Sequence, residues 1–262
     1  MIDKAIISKN FSKYANTYDR YANIQNNAAS DLLEFSGNRD PKYILELGTG
    51  TGNYTLLITE KFPLSKIISL DISEAMVKQA RNKIYKAKSL KNGAEIEFLV
   101  ADAEETHLTA KFDLITSNAT FQWFNDLDLT LDSYKNMLNK NGLLSFSIFG
   151  PETFNELRSS ICEYLKKDSK ITSSNFFSKE QLITILQKYF YNVSIKEIIY
   201  KENYSSLKEL LLKIKHTGTQ GIGLNKRLFF TKKIIADVED VYKTISKNIT
   251  ATYQVYLCKA EK

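Results

Sequence analysis

The chain has few cysteines and histidines, two of each among 262 residues, whereas disulfide-rich secreted proteins and metal-binding proteins contain many. Cys162 and Cys258 stand apart, in neither a C-x-x-C motif nor a Cys/His cluster. The sequence therefore predicts no disulfide framework and no metal site. No apolar run approaches the roughly 18 residues of a membrane span, and residues 1–10 contain no apolar core of signal-peptide length. The expected location is a reducing cytoplasm.

Acidic residues are in the minority, because 36 lysines and arginines outnumber 30 aspartates and glutamates. The excess is concentrated between Lys201 and Lys233, where eight basic residues oppose only Glu202 and Glu209. This stretch fits either a solvated lysine-rich face or a docking surface for an acidic partner. Its few aromatic residues do not suggest a platform for stacking nucleic-acid bases.

Short apolar segments alternate with helical patterns along most of the chain. Two amphipathic helices are predicted within residues 1–36, before the first strand. The predicted strands cover residues 43–47, 66–71, 95–100, 112–117, 143–149, 193–200 and 250–258. After the helices that follow the first two strands, helices are predicted at 126–139, 152–167, 178–189, 207–215 and 232–245. This alternation predicts an α/β fold with a doubly wound, mostly parallel sheet of seven strands, whose ligand lies outside the carboxyl ends of the strands.

Three alternate glycines follow the first strand, in the segment 48–52. Because glycine has no side chain, the backbone N–H groups of this turn can approach a ligand closely. A dinucleotide fingerprint has the spacing G-x-G-x-x-G, whereas here the third glycine comes one residue early and Glu46 stands two positions before the first. A plain strand–turn–helix corner also uses glycine, so the loop by itself is weak evidence.

Polar side chains end the next three strands. Asp71 ends the second, 19 residues after the last glycine of the loop, where a carboxylate can accept both ribose hydroxyls. Asp102 follows the third strand, and Ser117 and Asn118 end the fourth. Each could be a capping or turn residue. Their occurrence at successive strand ends favours one nucleotide-like ligand.

These motifs together resemble those of class I S-adenosylmethionine-dependent methyltransferases. The resemblance implies S-adenosylmethionine as cofactor, S-adenosylhomocysteine as product and no metal. It implies that Asp71 binds the ribose and Asp102 the adenine amine, while Ser117 or Asn118 lies beside the sulfonium. Met76 fits core packing equally well. The residues that the resemblance implies for cofactor binding are Gln25, Glu46, Gly48, Gly50, Gly52, Asp71, Ile72, Met76, Asp102, Ala103, Ser117 and Asn118.

Segments outside this core resemble the malonyl-[acyl-carrier protein] O-methyltransferase family of biotin synthesis. They comprise 11–15 with Tyr18-Asp19, 22–25, 117–119 with Gln122-Trp123, 149–158, 212–218 and Thr252-Tyr253. The stretch 215–223 is the more diagnostic part, because generic methyltransferases do not share it. On this basis we treat residues 1–262 as one methyltransferase domain. Its expected parts are N-terminal helices (1–36), a cofactor-binding core (40–150), a substrate cover (151–230), and a final helix and strand (231–262).

The resemblance implies methyl transfer to the free carboxylate of a malonyl thioester, carried by an acyl carrier protein or by CoA. An ionised carboxylate is already a nucleophile, so no general base is expected. Tyr18 and Arg158 are candidates for holding the carboxylate, although each also fits a purely structural role. The candidate pocket residues are Phe11, Gln122 and Trp123, and the candidate docking residues for an acidic carrier protein are Lys208, Lys213, Lys215, Lys226 and Arg227.

Other functions remain open at this point. An O-methyltransferase of another small carboxylic acid, such as trans-aconitate, shares the Tyr18-Asp19 signature and the strand-end residues, but needs no carrier-docking surface. An NAD(P)-dependent oxidoreductase is disfavoured by the glycine spacing. A noncatalytic cofactor-binding module is the third alternative. We expect neither nucleic acid nor a membrane as a partner.

Overall fold

The structure is a computed structural model that describes residues 2–88, 94–218 and 231–262. The helices are α1 (Lys4–Tyr14), α2 (Asn23–Phe35), α3 (Asn53–Lys61), α4 (Glu74–Lys88), α5 (Leu127–Met137), α6 (Asn155–Leu165), α7 (Lys179–Gln187), α8 (Leu207–His216) and α9 (Lys232–Ser246). The strands are β1 (Tyr43–Leu47), β2 (Lys66–Asp71), β3 (Glu95–Val100), β4 (Phe112–Asn118), β5 (Leu138–Phe149), β6 (Tyr191–Tyr204) and β7 (Ile249–Glu261). Short 3-10 helices occupy Tyr18–Arg20, Phe121–Trp123 and Thr172–Asn175.

The strands form one seven-stranded sheet in the order β3-β2-β1-β4-β5-β7-β6. Strands β1 to β5 pair in parallel, and β7 pairs antiparallel with both β5 and β6. The chain therefore winds outward in two directions from the neighbours β1 and β4. Their carboxyl ends form the switch point at which ligands bind in such sheets. The predicted α/β fold class is confirmed.

Helices pack on both faces of the sheet and bury two apolar clusters. One cluster receives α2, α3, α6, α8 and α9, through residues such as Leu32, Ile58 and Leu210. The other receives α5 and α7, through Leu131 and Leu186 among others. Within the segment predicted as a cover, α7 packs on one face of the sheet, and α6 and α8, here called the covering helices, pack on the other. The division of the chain at residues 150 and 230 stays a prediction.

Two helices that border the sheet's carboxyl edge begin at capping side chains. Asp3 accepts hydrogen bonds from backbone N–H groups in the first turn of α1, and Ser73 Oγ accepts one from the N–H of Met76 in α4 (3.2 Å). Such caps satisfy N–H groups that have no partner within the helix. Ser12 Oγ lies 2.8 Å from Ser73 Oγ, so α1 is joined to the start of α4.

Four strands are longer than the sequence predicted, β4 by a single residue and β5, β6 and β7 by more. β5 begins at Leu138, where it pairs with Phe112 before a shift of register, and β6 continues past Tyr200 through a polar stretch to Tyr204. β6 is an edge strand with many exposed side chains, and an edge tolerates charged residues that a central strand would not. Apolar patterning therefore underestimated its length, and that of its partner β7.

Candidate active site

The carboxyl ends of β1, β2, β3 and β4 meet at a cleft that α1 and the 3-10 helix Tyr18–Arg20 border. Most of the cofactor residues implied by the sequence line this cleft: Gly48, Gly50, Asp71, Ile72, Met76, Asp102, Ala103 and Asn118. Phe11, Tyr18 and Trp123 line it as well. Residues far apart in the sequence thus come together at one edge of the sheet.

The glycines of the loop serve different purposes. Gly48 (φ +77°) faces Thr120, whose side chain would overlap a Cβ at this position. Gly52 (φ +86°) does not line the cleft among the described residues, and a Cβ there would lie 2.9 Å from Cα of Ala80. It allows α4 to approach the loop closely. Gly50 (φ +55°) lines the cleft and donates its N–H to Asp71 Oδ2 at 2.8 Å.

Asp71 is held by backbone donors on both of its oxygens. The N–H of Gly50 binds Oδ2, and the N–H of Ser73 binds Oδ1 at 2.8 Å. Burial raises the pKa of Asp71 to about 6, although both hydrogen bonds act to lower it. Each carboxylate oxygen can accept more than one hydrogen bond, so the side chain is still able to accept a pair of hydroxyl groups from the cleft. This fits the ribose of the implied cofactor.

Glu46 lies beneath the glycine loop and is fully buried. Its Oε2 accepts hydrogen bonds from Ser69 (2.5 Å), Thr55 (2.7 Å) and Thr49 (3.4 Å). Its Oε1 has no hydrogen-bond partner within the described part of the chain. Burial raises the pKa of Glu46 to about 7, against the hydrogen bonds of the three hydroxyls. Glu46 Oε1 can therefore still accept a hydrogen bond from a polar group near the loop.

Lys4 is a cleft residue that sequence reasoning missed. Its Nζ lies 3.3 Å from Asp102 Oδ1 and 2.7 Å from Glu104 Oε2, and 4.9 Å from the ring centroid of Phe124. The start of α1 is thereby tied to the end of the cleft formed by β3. Lys4 and Asp102 are 98 residues apart in the sequence, so no local pattern could have predicted that they pair.

The end of β4 is organised by short polar contacts. Ser117 is fully buried and donates to the carbonyl of Leu47 at 2.8 Å, so it links β4 to β1 and does not line the cleft among the described residues. Asn118 does line it. Its Nδ2 donates to the carbonyl of Gln25 (3.0 Å), and its Oδ1 accepts from Ser147 (2.6 Å).

The N-terminal segment is anchored to the glycine loop by Asp19. Its carboxylate accepts from Thr51 Oγ1 (2.5 Å) and Asn53 Nδ2 (3.2 Å), and pairs with Lys83 Nζ (2.8 Å). The adjacent Tyr18 lines the cleft, and burial raises the pKa of its hydroxyl, with a smaller effect from nearby Asp71. Tyr18 thus stays protonated. The Tyr18-Asp19 signature in the sequence is the signal that could have pointed to a role for Asp19.

A second, larger cavity adjoins the cleft and shares Trp123 with it. It measures about 1480 Å³ including its open mouth. Gln25 lines this second cavity, on the side where its carbonyl meets Asn118. The walls come from the carboxyl end of β5, the amino-terminal half of β7, the helices α6, α8 and α9, and the residues around the 3-10 helix Thr172–Asn175. They include Phe149, Phe154, Leu157, Ile171, Phe176, Leu211, Leu212, Ile214, Ile235 and Tyr253.

Several candidate residues lie elsewhere than the sequence suggested. Arg158 lines neither cavity as the described residues form them and pairs with Asp168 at 3.0 Å, on the exposed side of α6. Gln122 is buried, with its Nε2 bound to the carbonyl of Ala119 at 2.6 Å, and lines neither of these two cavities. Lys213 was expected on a docking surface, but it is buried and lines the second cavity.

The remaining docking candidates differ in position. Lys208 is exposed and Lys215 half-buried, and both line the second cavity from α8. Lys226 and Arg227 lie outside the described residues. Lys213 could have been found on sequence grounds, because it follows Leu210 by three positions on the buried face of α8.

Comparison with known proteins identifies the family. The methyltransferase-domain family matches residues 39–210. A malonyl-[acyl-carrier protein] O-methyltransferase of Ilyobacter polytropus is 38% identical over 93% of this chain and 91% of its own length. Another, from Acetivibrio thermocellus, is 31% identical over 100% of this chain and 95% of its own length. The chain belongs to the malonyl-[acyl-carrier protein] O-methyltransferase family. The family and enzyme class predicted from the sequence are confirmed.

Solved structures show the same fold for this methyltransferase. A methyltransferase structure from Bacillus halodurans C-125 aligns with a TM-score of 0.62 at 14% identity, covering 89% of this chain and 98% of that one. A phosphoethanolamine N-methyltransferase of Haemonchus contortus, solved with S-adenosyl-L-methionine, aligns with a TM-score of 0.55 at 19% identity over 90% of this chain and 52% of that one. Within the described ranges, no cluster of three or more His, Cys, Asp or Glu side chains suits a metal ion. Likewise, no described helix is long and apolar enough to cross a membrane.

Proposed function

We propose that this methyltransferase converts the free carboxylate of a malonyl thioester on acyl carrier protein to its methyl ester, an early step of biotin synthesis. The observation that carries the proposal is the meeting of two cavities at Trp123: a cleft that contains the strand-end carboxylates Asp71 and Asp102, and a large apolar pocket. A methyl donor and an acyl substrate could be held on either side of this residue. The curated relatives from Ilyobacter polytropus and Acetivibrio thermocellus bear the name of this activity.

The cleft fits S-adenosylmethionine, which supplies an electrophilic methyl group when bound. Asp71 would accept the ribose hydroxyls, and Asp102, Ala103 and Met76 would surround the adenine. The backbone of Gly48 and Gly50 would receive the methionine end. These assignments are supported by the lining of the cleft and by the acceptor capacity left on Asp71.

The substrate carboxylate needs no catalytic base, because it is ionised at neutral pH. The protein's contribution is to position it and to exclude water, since a sulfonium and a carboxylate lose their charges as the reaction proceeds. Tyr18 would donate a hydrogen bond to one carboxylate oxygen, because its phenol lies in the cleft and stays protonated. Arg158 has no part in this proposal, because among the described residues it lines neither cavity.

The acidic carrier protein would dock beside the open second cavity. Lys208 and Lys215 line that cavity from α8, and Leu212 between them is 42% exposed. Positive charge at this position would attract an acidic partner and steer its approach. The other two predicted docking residues, Lys226 and Arg227, lie outside the described residues. A cytoplasmic location, where the carrier protein and its thioesters are made, remains part of this proposal.

Methyl transfer can be tested directly with labelled S-adenosylmethionine. Malonyl-acyl carrier protein, malonyl-CoA and trans-aconitate are offered in parallel, and label is expected in the base-labile methyl ester of the malonyl thioesters. Label on trans-aconitate alone would replace the proposal by the small-acid alternative. Succinyl-acyl carrier protein, one methylene longer, serves as a substrate control.

A further inference from the structure

Lys213 is a buried cation inside the apolar second cavity. It is 6% exposed, and its Nζ forms an ion pair with Glu202 of β6. The ring centroids of Tyr253 and Tyr204 lie 5.4 Å and 5.9 Å from Nζ. Lysine is rarely buried to this extent unless it is paired, and burial lowers the pKa of this one against the opposing effect of Glu202.

The ammonium group has hydrogen-bond donors to spare. It carries three N–H groups, and Glu202 is the acceptor to which Nζ donates within the described residues. Glu202 also accepts from the hydroxyl of Tyr204 at 2.5 Å, and that hydroxyl lies 2.8 Å from the hydroxyl of Tyr253. Glu202 is therefore well supplied with donors, whereas Lys213 can still donate into the cavity that it lines with Tyr253.

The charge of the pair decides what such a donor can bind. Lys213 and Glu202 are neutral together, so a substrate carboxylate placed here would set two anions against one cation in apolar surroundings. Such an arrangement is costly because the second anion loses its water without full compensation. A carbonyl oxygen accepts the same hydrogen bond without adding a charge. The site therefore suits a neutral acceptor.

Resting on the proposed function, we propose that Lys213 donates a hydrogen bond to the thioester carbonyl oxygen of the acyl substrate, with Glu202 as the residue that positions the ammonium group. The carboxylate would lie beside Tyr18 and the thioester carbonyl beside Lys213; because one methylene separates these groups in a malonyl thioester, both would lie close to Trp123, where the two cavities meet. The two polar ends of the substrate would be recognised by different groups. A substrate that has a carboxylate but lacks this carbonyl is bound less well.

The test compares malonyl-CoA with S-(2-carboxyethyl)-CoA, a thioether of equal chain length in which a methylene replaces the carbonyl. The unaltered enzyme is expected to prefer malonyl-CoA by about ten- to a hundredfold in kcat/KM, the range for a lost hydrogen bond to a charged group. In the double variant Lys213→Met/Glu202→Gln, which removes both charges, this preference should fall to near one. The exposed neighbour Lys201 provides the control, because Lys201→Met should leave the ratio unchanged.

Folding and function are separated by two further measurements. Thermal unfolding and the Kd for S-adenosylmethionine show whether the double variant is intact. If the double variant is not intact, Glu202→Gln is used alone. Without its counterion, Lys213 should lose its proton more readily. As the pH is raised, the preference for malonyl-CoA should therefore disappear at a lower pH than in the unaltered enzyme. A preference for malonyl-CoA that persists in the intact double variant, or an unshifted pH profile in Glu202→Gln, overturns the role of Lys213. Absence of any methylation of malonyl thioesters by the unaltered enzyme instead refutes the proposed function.

Discussion

Gly218 packs directly against the ring of Phe11. A Cβ on Gly218 would lie 2.5 Å from Cδ1 and 2.6 Å from Cε1 of Phe11, and the glycine has φ +77°. Phe11 belongs to α1 and lines the cofactor cleft, where its ring also lies near those of Tyr18 and Trp123, with centroids 6.3 Å and 6.4 Å away. Because Gly218 lies two residues after the end of α8, this contact joins a helix that lines the second cavity to the helix that borders the first.

Replacement of Gly218 by alanine should therefore disturb both stability and cofactor binding. We expect Gly218→Ala to lower the free energy of unfolding by about 2–4 kcal/mol, from backbone strain and overpacking together, and to raise KM for S-adenosylmethionine. Gly37→Ala is the matched control, because Gly37 has φ +81° but no described atom within 4 Å of the position that a Cβ would take. Equal losses in the two variants, measured by urea unfolding, would show that the contact with Phe11 adds nothing.

Asp19 should support cofactor binding through the glycine loop. Asp19→Ala removes the acceptor of the Thr51 hydroxyl and the ion-pair partner of Lys83, which keeps Asn53 Oδ1 as an acceptor, so the loop is less well ordered around the cleft. We expect KM for S-adenosylmethionine to rise about ten- to a hundredfold, in line with the loss of a hydrogen bond to a charged group. Lys66→Met breaks an exposed ion pair with Glu95 (3.5 Å) and should leave KM unchanged. A KM within twofold of the unaltered value for Asp19→Ala would contradict the anchoring role.

Cofactor affinity should weaken as the pH falls through about 6. Burial holds the pKa of Asp71 at about 6 in the free protein, and the ribose hydroxyls need the ionised carboxylate as acceptor. Protonation of Asp71 therefore competes with binding, so the Kd from calorimetry should increase below pH 6 and level off above pH 7. Asp71→Asn should bind weakly at all pH values and lose this dependence. An unchanged pH profile in Asp71→Asn would assign the titration to another group.

Glu46 should make the free protein less stable at high pH. Its pKa in the folded protein is about 7, above the value near 4.3 for an exposed glutamate, so the folded state binds the proton more tightly than the unfolded state. The contribution of Glu46 to the free energy of unfolding therefore increases as the pH falls from 8 towards 4. Glu46→Gln, which keeps one oxygen for the three hydroxyls, should gain stability over the unaltered protein at pH 8 and little at pH 5. Chemical unfolding at the two pH values measures the difference, and a gain that is independent of pH would refute it.

Charge reversal beside the second cavity should affect only the carrier-linked substrate. Lys208→Glu/Lys215→Glu is expected to raise KM for malonyl-acyl carrier protein about tenfold at low salt and less at high salt, because the attraction is screened. The Kd for S-adenosylmethionine should not change. Lys78→Glu/Lys140→Glu changes the net charge equally at positions outside the two cavities. If KM rose equally in both double variants, the effect would come from net charge alone and not from a docking surface at Lys208 and Lys215.

The fold was predictable because its strands carry local signals. The strands β1, β2 and β3 begin and end where the apolar pattern predicted, since they are short and bounded by turns. The limits of β6 were missed because an edge strand exposes polar residues that look like a loop. Asp71 and Asp102 could be predicted to line the cleft, because they stand where strands end and the sequence alone shows those positions.

The sequence by itself determined the fold class, the cofactor cleft and the enzyme family, because these depend on local patterns: alternating strands and helices, the glycine spacing and the residues that end each strand. Only the tertiary structure decided which charges line the two cavities. Arg158 and Lys213 both lie on helices of the cover, yet one pairs with Asp168 at the surface and the other with Glu202 inside the second cavity. Helical spacing could place Lys213 on the buried face of α8, but its partner Glu202 comes from a different element, and no local pattern contains that pairing.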